Sequence, residues 1–145
     1  MERNGLIYFL AHIIMNKIMS IIYMDVTKIA IILFFVMFVY SGFTKILKFN
    51  DKVLTLDKKT GLPHIINVLG MVGVIILELV GSLLLVAYFM KDNTVSRNLA
   101  KQITIMFLLF LAVVTMLYHP PWDKTIPFLS NVTTFAGMML IYDKI

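Results

Sequence analysis

A chain of 145 residues that is 60% hydrophobic and only 14% charged, with a mean hydropathy of +0.91, lies far from the soluble average of about 25% charged and belongs in a membrane. Its formal charge of +5 does not point to nucleic acid, because the basic residues sit at segment ends and in short connections rather than in a patch interleaved with exposed aromatics. Anionic lipid headgroups account for them, and the absence of cysteine excludes disulfide exchange, thiolate catalysis, iron–sulfur ligation and cysteine zinc sites by this chain alone.

Residues 5–23 are apolar but interrupted by His12, Asn16, Lys17 and Ser20 at helical spacing on one side. An amphipathic helix lying in the interface fits better than a span, since Lys17 would otherwise sit deep in lipid. No small-x-small cleavage pattern follows, which speaks against a signal peptide, and Met24 is a second place where translation can begin. Residues 1–24 therefore read as an N-terminal extension and residues 25–145 as one four-helix membrane domain, undivided by linker, low-complexity tract or repeat.

Asp25 or Thr27 can cap the first crossing, about residues 26–47. The connection that follows carries Lys48, Asp51, Lys52, Asp57, Lys58 and Lys59 and closes with Gly61 and Pro63, so it reads as the longest loop, with its VLTL centre as a short strand or an interfacial turn. The second crossing, about residues 65–90, is the longest apolar run; at about 1.5 Å per residue it spans roughly 39 Å, more than the ~30 Å hydrocarbon core. At 100° per residue Asn67, Gly70, Val74, Glu78, Gly81, Ser82 and Leu85 share one stripe, which in lipid turns toward other helices because small residues allow close approach and a carboxyl group needs a polar partner. Gly42, Gly70, Gly81 and Ser82 are accordingly the expected helix-packing positions.

Asp92, Asn93 and Thr94 form the next turn, and Ser96 caps a third crossing, about residues 99–118, stopped by Pro120 and Pro121 with Trp122 at belt level. Thr125 and Pro127 open a fourth, about residues 126–142. Four crossings put both termini on one side. Lys and Arg divide seven on that side (Arg3, Lys17, Lys28, Lys91, Arg97, Lys101, Lys144) to six on the other, a slight excess that leans toward cytoplasmic termini. The fold class is thus all-α: a four-helix transmembrane bundle with an N-terminal interfacial amphipathic helix.

Glu78 is the only acid inside a span, so it is either neutral or paired with a base, and intramembrane acids are candidates for proton handling or ligand binding. Lys45 is the obvious partner, although its place near the end of the first crossing puts it closer to the surface. A direct pair would need the second crossing shifted or tilted. His119, one turn beyond Thr115, ends the third crossing on the same side as Lys45, His64 and Asn131, so four polar groups from four helices converge on one mouth, with Ser41 one turn below Lys45. The bland readings are a snorkelling Lys45, a capping His119 and a solvated His64. The three histidines lack metal-ligand spacing, so no metal is expected, and haem ligation by His64 and His119 has little support in the residues.

The ordered set YSGFTKILKF, GLP, ELVGSLLLV, a histidine ending the third helix and an asparagine early in a glycine-containing fourth helix resembles the DoxX family of small four-helix membrane proteins, over about residues 24–145. By that resemblance Lys45, Glu78 and His119 match the family's polar positions, with Ser41, Gly42, Gly81 and Asn131 supporting them. The resemblance implies a membrane subunit of a redox system, of the kind found with thiosulfate:quinone oxidoreductase or with an assembly that couples superoxide dismutase to thiol stress. Any thiol or sulfur chemistry would then reside on a redox partner or a bound quinone. Two expectations follow. One is a redox-associated subunit binding a quinone-like or other amphipathic ligand through Glu78, Lys45 and His119; the other is a non-enzymatic structural or assembly protein in which those residues fix helix register. A small transporter is disfavoured, since four short helices with one acid offer no evident path, though a homo-oligomer could supply one.

Overall fold

The computed structural model describes the backbone of residues 3–91 and 94–145, and side chains at residues 12, 13, 15, 26–91 and 94–145. The polar side of the N-terminal stretch at Asn16, Lys17 and Ser20, the side chain of Asp25 and the turn at Asp92 and Asn93 lie outside the described residues. Five helices follow one another: α1 (Arg3–Leu47), α2 (Phe49–Thr60), α3 (His64–Phe89), α4 (Arg97–Tyr118) and α5 (Thr125–Lys144). No strand occurs among the described residues, and the fold is all-α. Four segments are long and apolar enough to cross a membrane, namely Val26–Leu47, His64–Phe89, Arg97–Tyr118 and Thr125–Lys144. The chain is a multi-pass integral membrane protein.

Two compact units divide the chain, Met1–Phe34 and Phe35–Ile145. The first is helical from Arg3 onward with no interruption at Met24 or Asp25, so neither Asp25 nor Thr27 stands at a helix start. Its described side chains include exposed Ile13, Met15, Val26, Ile29, Ile32 and Leu33.

The second unit holds the bundle. Its core is Phe35, Phe38, Met71, Leu85, Ile103, Phe107, Leu111, Met138 and Ile141. Phe107 meets Phe38 edge-on at 4.8 Å between ring centroids and Phe35 at 5.9 Å, the geometry that the ring quadrupoles favour. Ile65, Leu69, Leu83, Leu109, Val113, Met116 and Leu140 are exposed on the outside. So much outward apolar surface on a soluble protein would be an association site; on four spans it is the lipid-facing side.

The helix ends follow local chemistry. Ser96 accepts the Leu99 N–H at 3.3 Å and starts α4 at Arg97, as its position in the sequence predicts. Arg97 Nε donates at 2.6 Å to the Ile145 carbonyl, fastening the start of α4 to the end of α5. Gly61 ends α2 at φ 65°, in the left-handed region that glycine enters without a Cβ clash, and its N–H returns to the Asp57 carbonyl. Pro63 stands just ahead of α3 at its N-cap.

The segment expected to be a charged loop with a strand or turn is α2 instead. Its charges misled because they are segregated: Lys48, Asp51, Lys52, Lys58 and Lys59 are exposed, while Phe49, Val53, Leu56, Asp57 and Thr60 recur at helical spacing on the covered side. The Lys48 N–H bonds the Thr44 carbonyl and the Lys52 N–H bonds the Lys48 carbonyl, so α2 follows α1 across a single distorted residue.

Of the stripe of small and polar residues on α3 expected to face other helices, Asn67, Glu78, Gly81, Ser82 and Leu85 are buried, together with Met71, while Val74 is half-buried and Gly70 is exposed. Within α3, Leu77–Gly81 forms a π turn. A Cβ at Gly81 would stand 3.2 Å from Ile103, Leu77 and Phe107, and one at Gly42 would stand 2.8 and 2.9 Å from Leu79 Cγ and Cδ2. Gly42 therefore lets α1 close on the π turn. Gly42→Ala is expected to destabilise by about 1–3 kcal/mol through overpacking, with Leu79→Ala in the same chain recovering much of the loss; unfolding in mixed micelles reads both. Gly70 differs from the other two, since a Cβ there would meet nothing within 4 Å.

Candidate functional site

Side chains on a helix lean toward its N-terminus, so the four-carbon stem of Lys45 runs back along α1 toward Ser41 rather than outward to the headgroups. Its Nζ donates to Ser41 Oγ at 2.6 Å and to both Glu78 carboxylate oxygens, at 2.7 Å (Oε1) and 2.8 Å (Oε2). Ser41 Oγ donates to Oε1 at 3.2 Å. The depth mismatch read from the sequence is closed by this backward lean, together with the approach that Gly42 permits. Glu78 is 2% exposed and Lys45 18%, so the pair is largely shielded from bulk water, and both side chains border a cavity. In such surroundings the attraction is strong and so is the cost of losing either partner.

That cavity has a volume of about 530 Å³, within the range of small-molecule sites. Ser41, Lys45, Glu78, His119 and Asn131 all line it, as does Gly70. Met37, Phe38, Met71, Val74, Phe110, Leu111 and Val114 form its apolar wall. The backbone N–H of His119 caps α4 on the Thr115 carbonyl at 2.9 Å, while its ring Nδ1 is buried and has no partner among the described residues. Ser82 Oγ, just after the π turn, is likewise buried with no partner among the described residues.

His64 is not brought to the cavity with the other candidates. Its Nδ1 lies 2.7 Å from Asp57 Oδ2, and the Asp57 side chain also accepts from Asn67 Nδ2 at 2.8 Å through Oδ1. Asn67, 2% exposed, further donates to the Leu62 carbonyl at 3.1 Å and accepts from Thr60 Oγ1 at 3.0 Å. This cluster ties the end of α2 to the start of α3. Lys59 adds a second tie, donating to the Leu117 carbonyl at 3.2 Å with its ammonium 4.8 Å from the Tyr118 ring centroid. Neither tie was drawn from the sequence. The signal was present in the period of α2, which puts Asp57 and Thr60 on the same side as Val53.

The hydrogen bond from His64 is the main cause that holds the Asp57 carboxyl below its ordinary 3.8, helped by Asn67 and the charge of His64 and opposed by its partial burial. A carboxyl with a folded-state value below its unfolded one stabilises fully above the unfolded value and loses that contribution as pH falls through the folded one. The α2–α3 connection should therefore keep its stability down to about pH 4 and weaken below it. Thermal unfolding from about pH 6 to pH 2 should show this acid-side loss, and Asp57→Asn should remove that component of it.

Among the described residues no three His, Asp or Glu side chains come together in a way that could hold a metal ion. What the arrangement offers chemically is an apolar slot with an internal ion pair and several uncommitted polar groups on its walls. Comparison of the chain with protein-family models, with curated proteins and with solved structures finds no match to any of them.

Proposed function

We propose that the chain is a membrane subunit of DoxX type whose cavity holds an amphipathic, quinone-like ligand and presents it to a redox partner. The observation that carries the ligand part is the cavity of about 530 Å³, apolar along Met37, Phe38, Val74 and Phe110 and polar at the Lys45–Glu78 pair, His119 and Asn131. Such a slot takes an apolar body and orients a polar head, and Lys45, Glu78 and His119 are groups able to donate or accept a proton there. The redox part rests on the resemblance of the sequence alone.

The test is purification from the native membrane in mild detergent, with identification of extracted small molecules and co-purifying proteins. A stoichiometric amphipath together with a redox enzyme supports the reading; a chain that comes out with neither overturns it. Glu78→Gln keeps the side-chain volume and a carbonyl acceptor for Lys45, so this variant should fold yet lose at least tenfold in retained ligand, about 1.4 kcal/mol.

One observation favours a second reading, a structural or assembly component. The Lys45–Ser41–Glu78 cluster is closed on itself, and closed polar clusters also fix helix register. In that case Glu78→Gln changes stability and partner assembly while no ligand is found.

A further inference from the structure

The charges on the cavity wall do not balance. Three charged side chains line it, Lys45, Lys52 and Glu78. Glu78 is committed to Lys45 and Ser41. The acid that lies nearest along α2 on its covered side, Asp57, is committed to His64 and Asn67 and is outside the lining. Lys52 is left with no ion pair or side-chain hydrogen bond among the described residues.

The neutral polar groups sort the same way. Thr60 is already engaged with the Leu56 carbonyl and Asn67 Oδ1, and Thr134 donates to the Ser130 carbonyl. Among the described residues the Asn131 amide and the Tyr118 hydroxyl have no hydrogen-bond partner. Lys52 on α2 and Asn131 on α5 both line the cavity, so the unpaired ammonium and the unpaired amide border one slot. Phe38 and Phe110 on the same wall are apolar. Lys52 is exposed on α2, outside the spanning helices, and stands at the edge of a slot with apolar walls, where a cation gives the entrance a positive field that draws an anionic head.

We infer that the ligand is a single-chain amphipath with an anionic head, a carboxylate or a phosphate, held by Lys52 and Asn131 with its chain in the slot toward Phe38 and Phe110. This rests on the reading of the cavity as a ligand site and narrows the ligand class beyond a neutral quinone.

The experiment measures binding of dodecanoate, dodecyl phosphate and dodecanol to the full chain in a neutral maltoside detergent, for the wild type, Lys52→Gln and Lys58→Gln. Lys58 is an exposed cation on the same helix that does not line the cavity. Thermal unfolding in the same detergent checks that each variant is folded. Both anions should bind at least tenfold more tightly than dodecanol, and Lys52→Gln should remove roughly tenfold of anion affinity while leaving dodecanol binding and the Lys58→Gln variant unchanged. Preference for the phosphate over the carboxylate would point to a phospholipid-like source, and the reverse to a free fatty acid. Equal binding of dodecanol and the anions, or equal losses in Lys52→Gln and Lys58→Gln, would overturn the inference while leaving the cavity as a ligand site. Failure of all three probes to bind would sink the ligand-site reading itself.

Discussion

Replacing Lys45 by methionine is expected to destabilise the protein by about 3 kcal/mol, the low end of what breaking a buried ion pair costs. The variant keeps the apolar stem but leaves the Glu78 carboxylate, 2% exposed, with the Ser41 hydroxyl as its one remaining donor among the described residues. Two features hold the figure down. Lys45 is 18% exposed, and a chain unfolded in a micelle finds other partners for its polar groups. Adding Glu78→Leu should recover most of the loss, since an apolar pair of similar volume needs no compensation. A double-mutant cycle in mixed micelles measures the coupling. Additive effects would mean that the two side chains do not act on each other.

Phe107→Ala should cost about 3 kcal/mol as well, by a different route. Phe107 is fully buried where α4 meets Phe35 and Phe38 of α1 and the Cβ position of Gly81. Lipid tails are as apolar as a phenyl ring, so the loss is one of packing contacts and an empty volume rather than of transfer from water. Phe43→Ala, on a 56% exposed ring of the same aromatic type, serves as the control and should stay within about 0.5 kcal/mol. Equal effects at the two positions would place Phe107 outside the core.

The crossings were legible because apolar runs of spanning length carry their own signal, and so was the inward stripe of α3, because its small and polar residues recur at helical spacing. Ser96 was legible as a cap from its type and place alone. The helical state of α2 was not read, although its period contains it, because six charges in sixteen residues suggested a loop more strongly than the recurrence of Phe49, Val53, Leu56 and Thr60 suggested a helix. The π turn at Leu77–Gly81 has no composition of its own. It lies where α3 packs against Gly42 on one side and Ile103 and Phe107 on the other.

For the site, the residue types pointed to Lys45, Glu78, Ser41, His119 and Asn131, and these share the cavity. The direct contact of Lys45 with Glu78 depends on side-chain lean, which linear depth along a helix ignores. The helical period places Asn67 on the inward stripe of α3, but its role as the hub that joins α2 to α3 depends on Asp57 and Thr60, which the charge pattern assigns to a loop. His64 was grouped with the mouth by position along the chain; its pairing with Asp57 takes it elsewhere.

The measurement that bears most directly on the cavity as a ligand site is photocrosslinking of the full chain in lipid nanodiscs with a fatty acid that carries a diazirine on its chain, followed by peptide mapping. Adducts should concentrate on the cavity wall at Met37, Phe110 and Val114 and fall when unlabelled fatty acid is added in excess. Adducts confined to outward residues such as Leu83, Leu109 and Leu140, undiminished by competitor, would show only the surrounding lipid and contradict a ligand site.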